Sequence, residues 1–165
     1  MMQANVQTDD VDRRILSSLV VDSRKSYAQV GQEVGLSTAA VHERVKKLIE
    51  RGVIERFSLR IRPEAVGLHL TAFVFLRHDG GVHCRDLAPT LARIPEVCEL
   101  HSVAGEYDFL LKIRTTQARG LEDVLFAIKS IEGVQRTLST IVLSTIVDEK
   151  PPALPLDGRT PSARA

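Results

Sequence analysis

Between Ser37 and Arg51 the chain sets small polar residues and cations at spacings that can do chemistry on a polyanion. Ser37, Thr38, Ala39, His42, Glu43, Arg44, Lys46, Lys47 and Arg51 are interleaved with Val41, Val45, Leu48 and Ile49. Those four apolar residues recur at i, i+4, i+7 and i+8, so a helix over about Thr38 to Arg51 buries them together. Thr38, Ala39, His42, Glu43, Lys46 and Lys47 then point outward. On a helix lying in a major groove, the residues nearest the N-terminus reach base edges. Arg44, Lys46, Lys47 and Arg51 suit phosphates, which position a protein without reading sequence. The plain alternative is a solvated cationic face on an ordinary bundle helix.

The elements before this helix favour the DNA reading. Ser26 with Gln29 forms a capping box, which starts a helix at Tyr27 and carries it to about Val34. Gly35 suits a left-handed cap, Leu36 can drop into a core, and Ser37 caps the next helix. The turn is about three residues long, the compact connection of a helix-turn-helix. Upstream, an apolar stripe of Val11, Ile15, Leu16, Leu19 and Val20 predicts a supporting helix from Asp9 or Asp10, whose early aspartates favour the positive end of the helix dipole. Downstream, Phe57, Leu59 and Ile61 alternate with Arg56, Ser58, Arg60 and Arg62, which predicts a half-buried basic strand ending at Pro63.

The rest of the chain has another rhythm. Leu70 to Arg77 reads as a strand and Asp79-Gly80-Gly81 as a turn. A helix over about Asp86 to Ile94 follows, with Asp86 as cap and Pro89 in its first turn. Strands over Val97–Val103 and Tyr107–Arg114 flank a Gly105-Glu106 turn. A helix then presents Leu121, Val124, Leu125 and Ile128, and Val134 to Val147 forms a long final strand. The order strand, helix, strand, strand, helix, strand is the split βαβ or ferredoxin-like pattern. Ile94-Pro95-Glu96-Val97 and Ile131-Glu132-Gly133-Val134 echo each other where helix gives way to strand. Two helices cover one face of four strands. Phe73, Phe75 and Ile141 therefore point to an open face packed against a second subunit.

Composition bounds these readings. The chain has 165 residues, 44% of them hydrophobic, and a net charge of +1. Residues 1–62 hold 11 Lys+Arg against 8 Asp+Glu, whereas residues 63–150 hold 9 against 12. A basic front and an acidic middle suggest two modules with different partners. The expected division is therefore 1–62, 63–150, and a disordered proline-rich tail over 151–165. No stretch approaches the ~18 apolar residues needed to cross a bilayer, and no export signal is apparent, so a cytoplasmic location is expected. Two cysteines, Cys84 and Cys98, suit a reducing compartment. His78, His83 and Cys84, with or without His101, are the residues a metal-responsive regulator would use. They lack motif spacing, and adjacent His83 and Cys84 ligate one tetrahedral ion awkwardly, so no metal and no cofactor are expected.

Four segments resemble the Lrp/AsnC family, the leucine-responsive or feast/famine transcription regulators, over about residues 9–149. They are Asp9 to Leu16; Val34-Gly35-Leu36-Ser37 with Arg44-Val45-Lys46-Lys47-Leu48; Val103-Ala104-Gly105-Glu106-Tyr107-Asp108-Phe109-Leu110-Leu111; and Gly133-Val134 through Thr137, Ser139 and Ile141-Val142-Leu143. The resemblance implies an α+β chain, a helix-turn-helix followed by a βαββαβ domain. It also implies homodimers packed through their sheets, commonly four to an octameric disc, and a small effector, often an amino acid, held near the Gly-x-Tyr-Asp loop. The implied effector contacts are Gly105, Glu106, Tyr107, Asp108, Thr137 and Ser139. Gly105 N–H could meet a carboxylate, Glu106 or Asp108 an ammonium group, and Thr137 and Ser139 could supply neutral hydrogen bonds. Without the resemblance, Gly105-Glu106 reads as a hairpin turn. Ser139 stands where the family often has threonine, and the proline-rich tail is extra.

The same architecture occurs in siroheme decarboxylases, for which His42, His69, His78, His83 or His101 could supply an acid/base group. A cationic recognition face is unnecessary for that chemistry, so a non-enzymatic, DNA-binding regulator is the leading expectation.

Overall fold

Asp9 and Asp12 cap each other at the start of the first helix, α1 (Asp10–Val21): each side chain accepts the other residue's backbone N–H. The computed structural model describes residues 8–81 and 83–148. Within them the chain forms two compact units that divide between Leu59 and Arg60. The proline-rich segment 151–165 lies outside the described residues.

In the first unit α1 is followed by α2 (Tyr27–Val34) and α3 (Thr38–Glu50). Ser26 caps α2 through the expected reciprocal bonds with Gln29. Gly35 ends it in the left-handed region, at φ 75°, and its neighbour Leu36 donates N–H to Gly31 O at 2.9 Å. Ser37 then caps α3 by accepting from Ala40 N. Ile15, Leu19, Val30, Val34, Val41 and Val45 form the core, with Val11, Tyr27, Leu36 and Ile54 packed around it. Each such side chain contributes roughly 1.5–3 kcal/mol by leaving water.

Two apolar residues expected inside are outside. Val20 is 45% exposed and Ile49 46%. In α1 the buried stripe runs through Asp12, Ile15, Ser18 and Leu19 instead. Its polar members have partners: Ser18 Oγ donates to Glu33 Oε2 at 2.6 Å, and Lys25 Nζ reaches both Ser18 Oγ and Glu33 Oε1. Because these partners come from α2 and the loop before it, apolar periodicity alone places the stripe too far toward Val20.

The expected basic strand is absent. Residues 56–62 form no strand, and Phe57, Leu59 and Ile61 are 49%, 84% and 54% exposed. Alternation describes which residues could share a face, but a strand also needs a neighbour for its N–H and C=O groups, and no strand among the described residues pairs with this segment. A short 3-10 turn at Pro63–Val66 follows.

The second unit is a four-stranded antiparallel sheet in the order β2-β3-β1-β4, built from β1 (Leu70–His78), β2 (Val97–Ser102), β3 (Phe109–Thr115) and β4 (Val134–Ile141). Helices α4 (Cys84–Leu91) and α5 (Ala118–Lys129) cover one face, completing the expected βαββαβ arrangement. Ala72, Val74 and Leu76 of β1 and Phe109, Leu111 and Ile113 of β3 meet Leu87, Leu91, Leu121, Val124 and Ile128 there. The internal echo is geometric as well: Val97 N donates to Ile94 O at 3.0 Å, and Val134 N to Ile131 O at 3.2 Å, so the same turn ends both helices.

Three details depart from expectation. Helix α4 begins at Cys84 with His83 before it, because His83 O accepts from both Asp86 N and Leu87 N. Pro89 consequently lies inside the helix, where it removes the bond that a residue 89 N–H would make to Arg85 O. The last strand stops at Ile141 rather than Val147, and Leu143 and Ile146 beyond it are 96% and 89% exposed. Finally, Ile141 does not share a face with Phe73 and Phe75. It pairs with Ala72, and directly paired residues point to the same side, so Ile141 belongs to the helix-covered face.

Candidate nucleic-acid and effector interfaces

The outward face of α3 is assembled as its periodicity requires. Val41, Val45 and Leu48 are buried, while Thr38, Ala39, His42, Glu43, Lys46 and Lys47 are exposed. The His42 ring lies 5.7 Å from the Tyr27 ring, centroid to centroid, which gives the exposed imidazole a platform on α2. Lys47 Nζ is 3.5 Å from Glu43 Oε1 and Lys46 Nζ 3.8 Å from Glu50 Oε1. Such exposed pairs contribute only ~0.3–0.5 kcal/mol, so both ammonium groups can turn to another anion at little cost.

Arg44 and Arg51 differ from these lysines. Arg44 Nη1 lies 2.7 Å from Asp9 Oδ2 and 2.7 Å from Asp12 Oδ1. Arg51 Nη1 approaches Asp12 Oδ2 at 3.8 Å. The Asp12 N–H, and after it the Arg44 guanidinium, hold the Asp9 carboxyl below its usual value. Asp9 and then Asp12 hold the Arg44 guanidinium above its own. Arg44 therefore joins the start of α1 to the middle of α3. Ser37 Oγ is engaged in capping. The aspartates' part in this is not legible in the sequence: they stand out as dipole-favouring residues, but nothing local announces a partner at position 44.

In the second unit, the loop before β3 carries Gly105 at φ 146°, with open space where a Cβ would stand. Glu106 Oε1 is 3.7 Å from Arg136 Nη1. The Tyr107 ring packs 5.5 Å from Phe75 on the sheet's open face. Asp108 is tied down at three points: its N–H donates to Leu76 O, its carbonyl accepts from Val103 N, and Oδ2 accepts from His78 N, each at 2.9 Å. Thr137, half-buried, and Ser139, exposed, pair with Leu76 and Val74, which are themselves buried beneath the helices. Tyr107 and the pair Thr137 and Ser139 thus belong to opposite faces of the sheet. Of the six expected effector contacts, Tyr107, Asp108, Thr137 and Ser139 each meet β1, but from the two sides of the sheet.

The open face holds Phe73 and Phe75 with cross-strand neighbours Leu110 and Leu138, beside a polar group. Lys112 Nζ donates to Glu99 Oε1 at 2.9 Å, and His101 Nε2 is 3.5 Å from Glu99 Oε2. Lys112, then burial in the opposite sense, then His101 set the Glu99 carboxyl, which stands below its ordinary 4.5. Of the residues considered for a metal, His101 belongs here, away from His78 and Cys84.

A capped helix-turn-helix with an exposed polar and cationic face, joined to a split βαβ unit, defines a two-module DNA-binding regulator. Residues 9–49 match the AsnC-type helix-turn-helix domain, and residues 71–152 match the Lrp/AsnC ligand binding domain. This chain belongs to the Lrp/AsnC family of transcriptional regulators. It is 40% identical over 146 residues to the HTH-type transcriptional regulator LrpA of Mycobacterium tuberculosis, covering 88% of this chain and 97% of that one. A solved structure of a feast or famine regulatory protein from M. tuberculosis complexed with L-methionine superimposes with a TM-score of 0.84. It has 39% identity, and the match covers 89% of this chain and 99% of that one. A transcriptional regulator from Neisseria meningitidis in complex with L-Met gives a TM-score of 0.82 at 29% identity, over 92% and 98% of the two chains. These relatives are regulators rather than enzymes. Among the described residues, no helix is long and apolar enough to cross a membrane.

Proposed function

We propose that this chain is a cytoplasmic, sequence-specific DNA-binding regulator that reads a major groove with α3 and responds to a small amino acid. Thr38, Ala39, His42 and Glu43 face base edges, and Lys46, Lys47 and Arg51 face phosphates. Arg44 positions the helix by holding Asp9 and Asp12, and Ser37 fixes its first turn. The observation that carries this reading is the separation on α3 of a buried face, Val41, Val45 and Leu48, from an exposed face with weakly paired lysines. A single recognition helix binds weakly, so copies arrayed by the second module supply affinity. The apolar part of the open face, Phe73, Phe75, Leu110 and Leu138, fits a homodimer contact, and assembly into a tetramer of dimers extends it.

The effector reading is supported by L-methionine in two relatives and by the open backbone at Gly105. Glu106, exposed and only loosely paired with Arg136 at 3.7 Å, is the carboxylate best placed to meet an ammonium group, whereas Asp108 is held in the loop by its bond from His78 N. The division of Tyr107 from Thr137 and Ser139 across the sheet means that an effector touching both sets sits at an edge, completed by another copy.

Selection from a randomised duplex library tests the DNA reading. The purified chain enriches a defined half-site, and Thr38→Ala and His42→Ala change which bases are preferred at one or two positions. Failure to enrich any sequence overturns it. A thermal-shift screen against the amino acids tests the effector separately, since a ligand at 100 times its Kd stabilises the folded state by about 2.7 kcal/mol.

A further inference from the structure

Three donors of different type converge on the helix-covered side of the sheet, at the end of β1. One ligand atom from each of His78, Cys84 and Asp108 lies within 4.8 Å of the other two. They come from separate segments: the last residue of β1, the first residue of α4 and the loop before β3. All three are partly buried, and His78 and Cys84 line a cavity of about 560 Å³ with Gly80, His83, Arg85 and Asp86. We propose that this cluster is a binding site for a divalent transition metal of the zinc class, held by three protein ligands with a fourth position open to water or a small ligand.

Hydrogen bonding identifies the ligand atoms. Asp108 Oδ2 accepts from His78 N at 2.9 Å, which leaves Oδ1 facing the cluster. His78 Nε2 is 3.8 Å from that Oδ1. A tetrahedral ion with bonds of about 2.0–2.3 Å holds its ligand atoms roughly 3.3–3.8 Å apart, so small side-chain movements close the site. Cys84 supplies the sulfur from the first residue of α4, and a bound metal ion itself deprotonates a coordinating thiol. His83 also lines the cavity, but its adjacency to Cys84 makes it a poor simultaneous ligand.

Metal binding here has a structural consequence. His78 Nδ1 accepts from Gly80 N at 2.8 Å, which places the neutral ring's proton on Nε2. An ion on Nε2 displaces that proton, Nδ1 takes one up, and the Gly80 hydrogen bond opens. The exposed Asp79-Gly80-Gly81 turn is therefore the part that adjusts. An ion also joins α4 to Asp108, the last residue of the Gly105 loop, so it fixes that loop relative to the helix.

Cobalt(II) titration of the purified full-length chain, prepared metal-free under reducing conditions, tests the site. One equivalent per chain with a thiolate-to-cobalt charge-transfer band is expected, displaced by zinc(II). Cys84→Ser removes the band, and Cys84→Ser and His78→Ala each weaken zinc binding by about tenfold or more, a loss at least as large as removing a metal's outer partners. Cys98→Ser leaves both unchanged, and bound zinc slows alkylation of Cys84 but not of Cys98. Absence of the thiolate band, or wild-type zinc affinity in the folded Cys84→Ser chain, overturns the proposal.

Discussion

Arg44 Nη1 lies 2.7 Å from Asp12 Oδ1, joining residues 32 positions apart across two helices. The Asp12 side chain is only 8% exposed, so Oδ1 depends on this partner for its hydrogen bond. Arg44→Ala is expected to destabilise the first unit by about 1–3 kcal/mol, the usual cost of leaving a charged hydrogen-bonding group unsatisfied. DNA affinity falls with it, through misplacement of α3. Arg44→Lys keeps the charge but cannot reproduce the planar donor set, and recovers only part of the loss. Chemical denaturation and duplex binding on the same preparations check this. Wild-type stability in Arg44→Ala excludes a positioning role.

The lysines make a different prediction. Lys46 and Lys47 are more than half exposed and paired only within their own helix, so Lys46→Ala with Lys47→Ala leaves thermal stability nearly unchanged. Binding weakens across all sequences instead. For every phosphate that no longer meets a cation, the slope of log affinity against log salt becomes shallower by about 0.9. A salt titration of wild type and double variant reads both effects.

Gly31 sets α2 against the turn. A Cβ there would stand 2.5 Å from Leu36 O, a backbone atom that cannot rotate away. Gly31→Ala is expected to destabilise the first unit by roughly 1–3 kcal/mol, as overpacking does. It also costs DNA affinity, because the turn that aims α3 must open. Gly35→Ala meets no neighbour but is strained at its positive φ, so its effect is smaller and confined to stability.

Glu99 links the sheet to pH. Its folded-state pKa lies below the ordinary 4.5, chiefly through the hydrogen bond from Lys112. A depressed carboxylate pKa contributes stability that is present above the unfolded value and lost as pH falls through the folded one. The advantage of wild type over Glu99→Gln in Tm is therefore present above pH 4.5 and shrinks as pH falls below it. Parallel melting curves that never converge at low pH remove Glu99 as its source.

Phe73 and Phe75 carry the prediction about assembly. Placing aspartate at Phe75 puts a charge in the middle of the open apolar patch while leaving the helix-covered core of Ala72, Val74 and Leu76 untouched. Phe75→Asp is expected to shift the chain toward monomer in light scattering and sedimentation, with folded circular dichroism retained. An unchanged mass at micromolar concentration assigns self-association to another surface.

What the sequence discloses follows the range of the interactions concerned. Ser26 with Gln29, Gly35 and Ser37 are legible because a cap is completed within four residues. The Ile94 and Ile131 turns are legible because they repeat. Arg44 is not, since its carboxylates lie 32 and 35 positions away. Nor is the side taken by Ile141, which depends on the register of β4 against β1: a shift of one residue reverses every side chain. Phe57, Leu59 and Ile61 have a strand's alternation, yet alternation cannot say whether a partner strand is present. For the same reason His78, Cys84 and Asp108 are scattered along the chain and meet only through the fold.

On α3, the residues that hold the helix in place and the residues that face outward are different sets. Val41, Val45, Leu48 and Arg44 are committed to neighbours; Thr38, Ala39 and Glu43 are exposed. Mutation at the second set costs the fold little, so if α3 reads base edges as proposed, descendants of this chain can acquire new target sequences one substitution at a time. The inherited scaffold stays intact while the text it reads changes.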